Sequence, residues 1–219
     1  MRLVVCGTDT DVGKTVVSAL LVQGLGARYW KPVQSGLDPV GGDSGTVAAL
    51  LKLPAERLVP EAYRLREPVS PHWAAERDGV RLEPERLGLP TGNEPLVVET
   101  AGGLLVPLRR DWLQIDQIAR WQLPVLLVAR SGLGTLNHTL LSLEALQHRG
   151  IPLLGVVLNG PLHPDNPRTL AALGAGPVLA ELPPLQPLSA EGLAQQWQRL
   201  GLADRLAERC LACSEQPGS

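Results

Sequence analysis

The sequence predicts an α/β domain in which a mostly parallel sheet is flanked by helices. Short runs of almost entirely apolar residues recur along the chain, and longer segments with helical spacing lie between them. Strands that helices cover on both faces have this apolar character, which is typical of parallel sheets. The alternation of strands and helices further implies right-handed crossovers between strands of one sheet. A chain of 219 residues suits one domain with a sizeable core.

The predicted elements follow this pattern along the chain. We expect strands at residues 3–6, 96–98, 124–129 and 153–158, with two further candidates at residues 28–33 and 177–182. We expect helices at residues 14–25, 112–121, 136–148 and 190–212, and shorter ones from about residue 43 and at residues 165–173. Residues 36–94 are less regular and rich in proline and glycine, with a loop-rich excursion at residues 68–81. The domain is expected to cover residues 1–213, and the polar tail at residues 214–219 to be disordered.

Composition narrows the class of protein. The formal net charge of −2 argues against nucleic acid held by a broad basic face. No apolar run approaches the ~20 residues that span a bilayer, and the N-terminus lacks a signal peptide, so we expect a cytoplasmic protein without a membrane partner. Cys6 lies in an apolar run and is expected to be a small buried hydrophobe. Cys210 and Cys213 form a lone CxxC without a second ligand pair, which disfavours a metal or redox role.

Residues 7–15, GTDTDVGKT, form a phosphate-binding P-loop between a predicted strand and a predicted helix. Glycines let backbone N–H groups turn toward phosphate oxygens, and the helix that begins near Gly13 adds its positive dipole end. Lys14 can reach the β- and γ-phosphates, and the Thr15 hydroxyl can ligate magnesium. Five residues, rather than the common four, separate Gly7 from Gly13. The alternative is a ligand-free strand-to-helix turn, but the Gly-Lys-Thr sequence and its context predict a nucleoside triphosphate with Mg²⁺ and a P-loop NTPase fold.

Three charged residues follow other predicted strands or begin a predicted helix. Lys31, in WKPVQSG, would lie at the carboxyl edge of the sheet, where open α/β sheets bind ligands, and could neutralise a transferring phosphoryl group. The alternative for Lys31 is a solvated side chain at a strand end. Glu99, in ETAGG, occupies the position of the acidic residue that holds magnesium in P-loop proteins. Asp43, in GGDSG, is either a further carboxylate of this site or a helix cap.

Six segments in one order make the sequence resemble the dethiobiotin synthetase family: GTDTDVGKT, WKPVQSG, GGDSG, EPVSPH, ETAGG and LGTLNHTLL. The resemblance extends from the first strand to about residue 185. It implies a single α/β domain that works as a homodimer. It also implies ATP- and Mg²⁺-dependent carboxylation and ring closure of 7,8-diaminopelargonic acid with carbon dioxide. One amine forms a carbamate, ATP activates it as a carbamic-phosphoric anhydride, and the second amine closes the ring of dethiobiotin with release of ADP and phosphate.

The resemblance also implies roles for individual residues. Lys31 and Lys14 would be catalytic, and Thr15, Asp43 and Glu99 would surround Mg²⁺. The residues expected to bind ATP are Asp11, Val12, Gly13, Lys14, Thr15, Val16, Asp43, Glu99, Asn159, Pro183, Pro184 and Leu185. The residues expected to bind the diamine or its carbamate are Thr10, Lys31, Ser35, Gly102, Gly103, Gly134 and Asn137.

Two of these roles concern the adenine and the substrate carboxylate. Asn159, at the end of a predicted strand, would read the adenine base. Residues 133–137 lead into a helix whose free N–H groups form an anion site, which in the family receives the substrate carboxylate from the partner subunit. The alternatives are a helix cap for Asn137 and a surface imidazole for His138.

The sequence departs from the family pattern at two positions, and it lacks features of two competing classes. The family usually has glutamate at the position of Asp11 and glycine at that of Thr100, so contacts from position 11 and the turn at position 100 are expected to differ. Cobyrinic acid amidating synthetases carry a glutamine-hydrolysing domain for which this chain is too short. Partition and cell-division-site ATPases carry a signature lysine five positions before the Gly-Lys lysine, where this chain has Asp9.

Overall fold

A computed structural model describes residues 1–214 of the protein, and its centre is a parallel sheet. The strand order among the described residues is β11-β10-β9-β1-β6-β2-β4. These strands are β1 (Arg2–Gly7), β2 (Arg28–Trp30), β4 (Leu58–Val59), β6 (Leu96–Gly103), β9 (Val125–Arg130), β10 (Leu153–Asn159) and β11 (Val178–Leu182). Two small sheets accompany it: β3 (Val33–Ser35) pairs with β5 (Tyr63–Leu65), and β7 (Pro107–Arg109) with β8 (Trp112–Leu113). The predicted α/β architecture with a mostly parallel sheet is confirmed.

Eight α-helices connect and cover the strands within residues 1–214. They are α1 (Lys14–Gly24), α2 (Gly42–Leu51), α3 (Pro71–Arg77), α4 (Gln114–Trp121), α5 (Thr135–His148), α6 (Asn166–Ala172), α7 (Ala190–Leu200) and α8 (Leu202–Ser214). None of the helices in this part of the chain is both long and apolar enough to cross a membrane. Ser214, which the sequence placed in a disordered tail, is the last residue of α8; residues 215–219 of that tail lie outside the described residues.

The structure corrects four parts of the predicted pattern. The single strand at residues 28–33 is two strands, because Pro32 has no N–H to continue the ladder, and β3 pairs with β5 instead. The helix at residues 112–121 begins at Gln114, since the two preceding residues form β8. The helix at residues 190–212 is broken at Gly201, whose φ of 57° ends α7 in the left-handed region. The loop-rich excursion at residues 68–81 contains α3.

Two apolar layers lie on the two faces of the sheet. Residues of β1 alternate between them: Val4 and Cys6 belong to the layer under α3–α6, and Leu3 and Val5 to the layer under α1, α2, α7 and α8. All four are fully buried, as the apolar run predicts. Burial raises the pKa of the Cys6 thiol to about 12, so this cysteine is a small buried hydrophobe.

The strand order places the ligand crevice. β1 lies between β6 and β9, so the chain crosses over to opposite sides of β1 in the two halves of the sheet. In open α/β sheets, ligands bind beyond the carboxyl ends of the strands at such a switch point. The loop that leaves β1 at Gly7 and enters α1 at Lys14 lies at this point.

Candidate active site

The P-loop has the backbone conformation that its glycines and aspartates permit. Gly13 precedes α1 with φ of 96°, and a Cβ at this position would collide with the amide of Asn159, so the position requires glycine. Asp11 also has positive φ, 56°. Aspartate is among the few L-residues that enter this region readily, so the departure from the family's glutamate is compatible with the loop.

Lys31 lies in a buried cluster of charges. Its Nζ is 2.5 Å from Asp43 Oδ2 and 3.1 Å from Glu99 Oε1, and it donates to the Thr100 carbonyl at 3.1 Å. Lys31 is 3% exposed and Glu99 is fully buried. Burial alone would lower the pKa of the Lys31 ammonium, but Glu99 and Asp43 outweigh it and raise that pKa. Lys31 is therefore a buried cation and not a solvated strand-end lysine.

The Asp43 carboxylate forms an ion pair with Lys31. Burial alone would raise its pKa, but Lys31, with the Thr15 hydroxyl, holds the pKa of Asp43 below its usual range. Asp43 lies in the first turn of α2, whose N-cap is Gly41 without a side-chain cap, so the helix-cap alternative for Asp43 does not describe the structure.

Three oxygen atoms form a set that fits a hard divalent cation. Thr15 Oγ1 is 2.9 Å from Asp43 Oδ1 and 2.9 Å from Glu99 Oε1. The Thr15 hydroxyl carries one hydrogen and donates to one of these carboxylates at a time, and both carboxylates also contact the Lys31 ammonium. Magnesium typically takes one or two carboxylates and completes its shell with water and phosphate oxygens. In residues 1–214 no cluster of three or more His, Cys, Asp or Glu side chains is placed to hold a metal, so a bound Mg²⁺ would depend on such additional ligands.

Lys14 is the second buried lysine of the site. Its Nζ donates to the Asp9 carbonyl at 2.8 Å, and its side chain is 6% exposed. Burial, together with the nearby charge of Lys31, lowers the pKa of Lys14. Asp9 Oδ2 is in turn 3.1 Å from an Nη of Arg130, at the end of β9. The position that would carry a signature lysine in partition ATPases is therefore an aspartate paired with arginine.

One cavity of about 500 Å³ brings most of the predicted phosphate-side residues together. The predicted residues that line it are Thr10, Asp11, Gly13, Lys14, Thr15, Val16, Lys31, Ser35, Asp43, Glu99 and Gly102. A second cavity of about 500 Å³ also contains Thr10, with Gly103 and the α5 residues His138 and Leu141. Of the predicted diamine-binding glycines, Gly102 therefore lies at the first cavity and Gly103 at the second.

The remaining predicted residues line neither of these two cavities. Gly134 is the N-cap of α5, and Asn137 is exposed in its first turn, inside the helix and not at its cap. Asn159 donates from Nδ2 to the Val12 carbonyl at 3.1 Å, which places it beside the P-loop; Val12 itself is buried. Pro183, Pro184 and Leu185 follow β11, whose last residue pairs with Asn159 of β10.

Three residues of the site were missed from the sequence. Tyr29 donates its hydroxyl to Glu99 Oε2 at 2.9 Å, and its position in β2, two residues before Lys31, was the signal that could have found it. Gln34 accepts from the Asp43 N–H at 3.1 Å. Gln114, at the start of α4, binds the backbone after Thr100; nothing in its local sequence marks it. Thr100 itself is buried and donates to the Val5 carbonyl at 3.4 Å.

Comparison with known proteins gives the class of this protein. A family model described as an AAA domain matches residues 1–192. The cell division ATPase MinD of Pyrococcus furiosus has a TM-score of 0.57 at 19% identity, with 96% of this chain and 98% of that one covered. A ParA family ATPase of Chlorobium tepidum has a TM-score of 0.56 at 12% identity, with 96% and 97% covered. At these identities the likeness shows the fold alone, and fold and site together define a P-loop ATPase.

Closer relatives share one name. An ATP-dependent dethiobiotin synthetase BioD of Rhodopseudomonas palustris is 55% identical over 187 residues, 85% of this chain and 89% of the relative. Proteins of the same name from Brucella ovis and Agrobacterium fabrum are each 51% identical and cover 90% and 94% of this chain, and 93% and 97% of their own lengths. The chain belongs to the ATP-dependent dethiobiotin synthetase family. It is an ATP-dependent ligase of biotin biosynthesis, as the resemblance predicted.

Proposed function

We propose that this enzyme makes dethiobiotin from 7,8-diaminopelargonic acid, carbon dioxide and MgATP. The observation that carries the proposal is the buried Lys31 ammonium, held between Asp43 and Glu99 in the same cavity as the P-loop lysine. Acyl activation by phosphoryl transfer needs positive charge on both sides of the transferring group, and two buried lysines supply it.

The reaction balances in three steps. One amine of the substrate adds to carbon dioxide, which forms a C–N bond and a carbamate and releases a proton. A carbamate oxygen then attacks the γ-phosphorus of ATP, so that an O–P bond forms and ADP leaves. The second amine attacks the carbamate carbon, loses a proton, closes the ureido ring and expels phosphate, whose new oxygen came from the carbamate.

The residues of the site are suited to positioning the substrates and stabilising charge rather than to covalent chemistry. Lys14 would move from the Asp9 carbonyl to the β- and γ-phosphates, and Lys31 would face the transferring phosphoryl group. Mg²⁺, when bound near Thr15, Asp43 and Glu99, would neutralise charge on the nucleotide phosphates. Asn159 would bind adenine, and residues 183–185 would line its pocket.

The second cavity is the proposed place for the diamine. It lies beside Thr10 and Gly103, next to the phosphate side, and is lined further by apolar residues that include Leu104 and Val106. An aliphatic chain with polar ends suits such a lining. The N-terminus of α5 would bind the substrate carboxylate of the partner protomer.

A second copy of the chain is the proposed occupant of the face around this cavity. Leu105 and Leu141, which line this cavity, are 53% and 57% exposed, and Leu133, directly before the N-cap of α5, is fully exposed. Large exposed apolar side chains grouped on one face mark association surfaces, and the family resemblance selects a homodimer. A cytoplasmic location and the lack of nucleic-acid and membrane partners stay predictions.

Phosphate release tests the proposed reaction. Turnover of MgATP should require both diaminopelargonate and bicarbonate, and omission of either should leave only slow background hydrolysis. Equal turnover without the diamine would refute the assignment. Asp9→Lys, which creates the signature position of the competing ATPase class, should not produce a diamine-independent ATPase if the assignment is right.

A further inference from the structure

We infer that Gln114 is a positioning residue for the substrate: its side-chain amide fixes the backbone of residues 101–103, which the proposed function assigns to the diamine or its carbamate. The inference rests on that proposed function for the identity of the ligand. The geometry of residues 101–103, which we call the turn, does not depend on the proposed function.

The pairing of β6 with β1 is interrupted at the turn. Val5 pairs with Glu99 and Gly7 pairs with Gly103, so three residues of β6 lie opposite one residue of β1. Such a bulge removes backbone N–H and C=O groups from the ladder, and buried groups of this kind need other partners. The sheet therefore depends on side chains at this point, directly after the Glu99 carboxylate.

The side-chain amide of Gln114 forms hydrogen bonds with the backbone groups that the bulge leaves without partners. Its Oε1 accepts from the Ala101 N–H at 2.9 Å, and its Nε2 donates to the carbonyls of Ala101 and Gly103, each at 2.8 Å. An amide offers two donors and an acceptor on one rigid plane, so a single side chain satisfies three backbone groups. Gln114 is 4% exposed, and water cannot readily replace it.

The turn that Gln114 holds reaches both cavities. Ala101 and Gly102 line the phosphate-side cavity, and Gly103 lines the neighbouring one. Gly102 has φ of 59°, and a Cβ at Gly103 would lie 3.2 Å from the Thr8 carbonyl, so the backbone itself closely approaches the P-loop. A shift of residues 101–103 would move the groups that face the substrate while leaving the P-loop at residues 7–15 and its nucleotide contacts in place.

The chain offers a matched control on the same helix. Gln117 is 2% exposed, and its Nε2 donates to the Leu87 carbonyl at 3.1 Å and not to residues 101–103, although both amides line one small cavity with Ala101. Gln114→Met and Gln117→Met each replace a buried amide of α4 with an apolar side chain of similar length. Both substitutions place a methionine in the core, so their effects on packing should be similar. They differ in the backbone hydrogen bonds that they remove, which are those of residues 101 and 103 in one case and that of Leu87 in the other.

The test compares kinetics, nucleotide binding and amide exchange. We expect Gln114→Met to raise the KM for diaminopelargonate about tenfold or more, because it leaves three backbone groups without their partner. The Kd for a non-hydrolysable ATP analogue should change less than twofold, and Gln117→Met should leave both constants near those of the wild type. Exchange of the Ala101 amide, measured by NMR, should be slow in the wild type and in Gln117→Met and fast in Gln114→Met.

Three results would overturn the inference. One is a diamine KM within twofold of the wild type in Gln114→Met. Another is an equal loss of diamine and nucleotide binding, which a general structural role would produce. The third is rapid exchange of the Ala101 amide in the wild type, a measurement that holds even if the variant does not fold. Failure of the proposed function is separate, since it would appear as no diamine-dependent phosphate release by the wild type.

Discussion

At the scale of single residues, charge is concentrated in a space that water scarcely reaches. Lys31 offsets the fully buried Glu99 and the partly buried Asp43, and each carboxylate also contacts the Thr15 hydroxyl. Removing one partner of a buried ionic cluster leaves an uncompensated charge. The same side chains are therefore expected to govern both catalysis and local stability.

Lys31→Met tests the catalytic part of this account. If Lys31 stabilises the transferring phosphoryl group, kcat should fall by roughly 10²–10³, about 3–4 kcal/mol. Steady-state phosphate release measures it, at a temperature where circular dichroism shows the variant folded. Lys52→Met, at an exposed lysine at the end of α2, is the control and should stay within twofold of the wild type. A change confined to KM would show that Lys31 only binds substrate.

Asp43→Asn tests, through the pH dependence of stability, whether the Asp43 carboxylate stabilises the buried charge cluster. The pKa of Asp43 is lowered in the folded protein, so its contribution to stability is present above the ordinary carboxyl pKa of about 3.9 and is lost as the pH falls below it. Urea unfolding at pH 7, 5 and 3.5 should show the wild type more stable than the variant at the two higher values. The difference should shrink at pH 3.5; a difference that grew on acidification would contradict the assigned direction.

At the scale of elements, close packing of α1 against α7 sets one side of the core. Gly24, the last residue of α1, lies against the indole of Trp197, and a Cβ at Gly24 would collide with the ring. Alanine normally favours a helix over glycine by about 0.5–1 kcal/mol. The contact with the ring therefore decides the sign of the substitution.

Gly24→Ala should destabilise the protein by about 1–3 kcal/mol because it overpacks this contact. In the background of Trp197→Ala the penalty should vanish, since the new methyl group then occupies the space that the ring has left. Denaturant unfolding of the four proteins gives the coupling energy. Additive effects of the two substitutions would show that Gly24 and Trp197 do not pack as described.

Local sequence was sufficient to predict an element where a single strong pattern, such as an apolar run, marks it. The apolar runs predicted β1, β9, β10 and β11 closely, because strands that are covered on both faces consist mostly of apolar residues. Local sequence was insufficient where partners distant in sequence determine the structure. The separation of β3 from β2 depends on pairing with β5, and the role of Gln114 depends on a bulge in a strand 11 residues earlier in the chain.

Among the site residues, motif position predicted those around the P-loop cavity. Their types are dictated by phosphate and magnesium chemistry, so their spacing in sequence carries the signal. Tyr29 and Gln34 act through Glu99 and Asp43 instead, and no ligand chemistry dictates their types. The structure was needed to find them.

At the scale of the whole molecule, the exposed leucines around the second cavity connect the site to assembly. Leu141→Asp should lower the dimer fraction in sedimentation velocity and reduce diamine-dependent turnover, because a charge on an apolar face opposes association. Binding of an ATP analogue should persist. Leu173→Asp, at a leucine that is 59% exposed after α6, is the matched control and should change neither property. A monomeric wild type with full activity would refute the proposed homodimer.

The fate of a single oxygen atom tests the central claim most directly. In the proposed reaction the carbamate oxygen that attacks ATP leaves with phosphate, so ¹⁸O-labelled bicarbonate, mixed rapidly with enzyme, diaminopelargonate and MgATP, should place one ¹⁸O atom in each phosphate released. Mass spectrometry of the phosphate, with correction for exchange of bicarbonate with water, measures this transfer. One labelled oxygen per phosphate, formed only in the presence of the diamine, is the predicted result. Phosphate that carries oxygen from water alone would contradict the account, since ATP would then have been hydrolysed without activation of a carbamate.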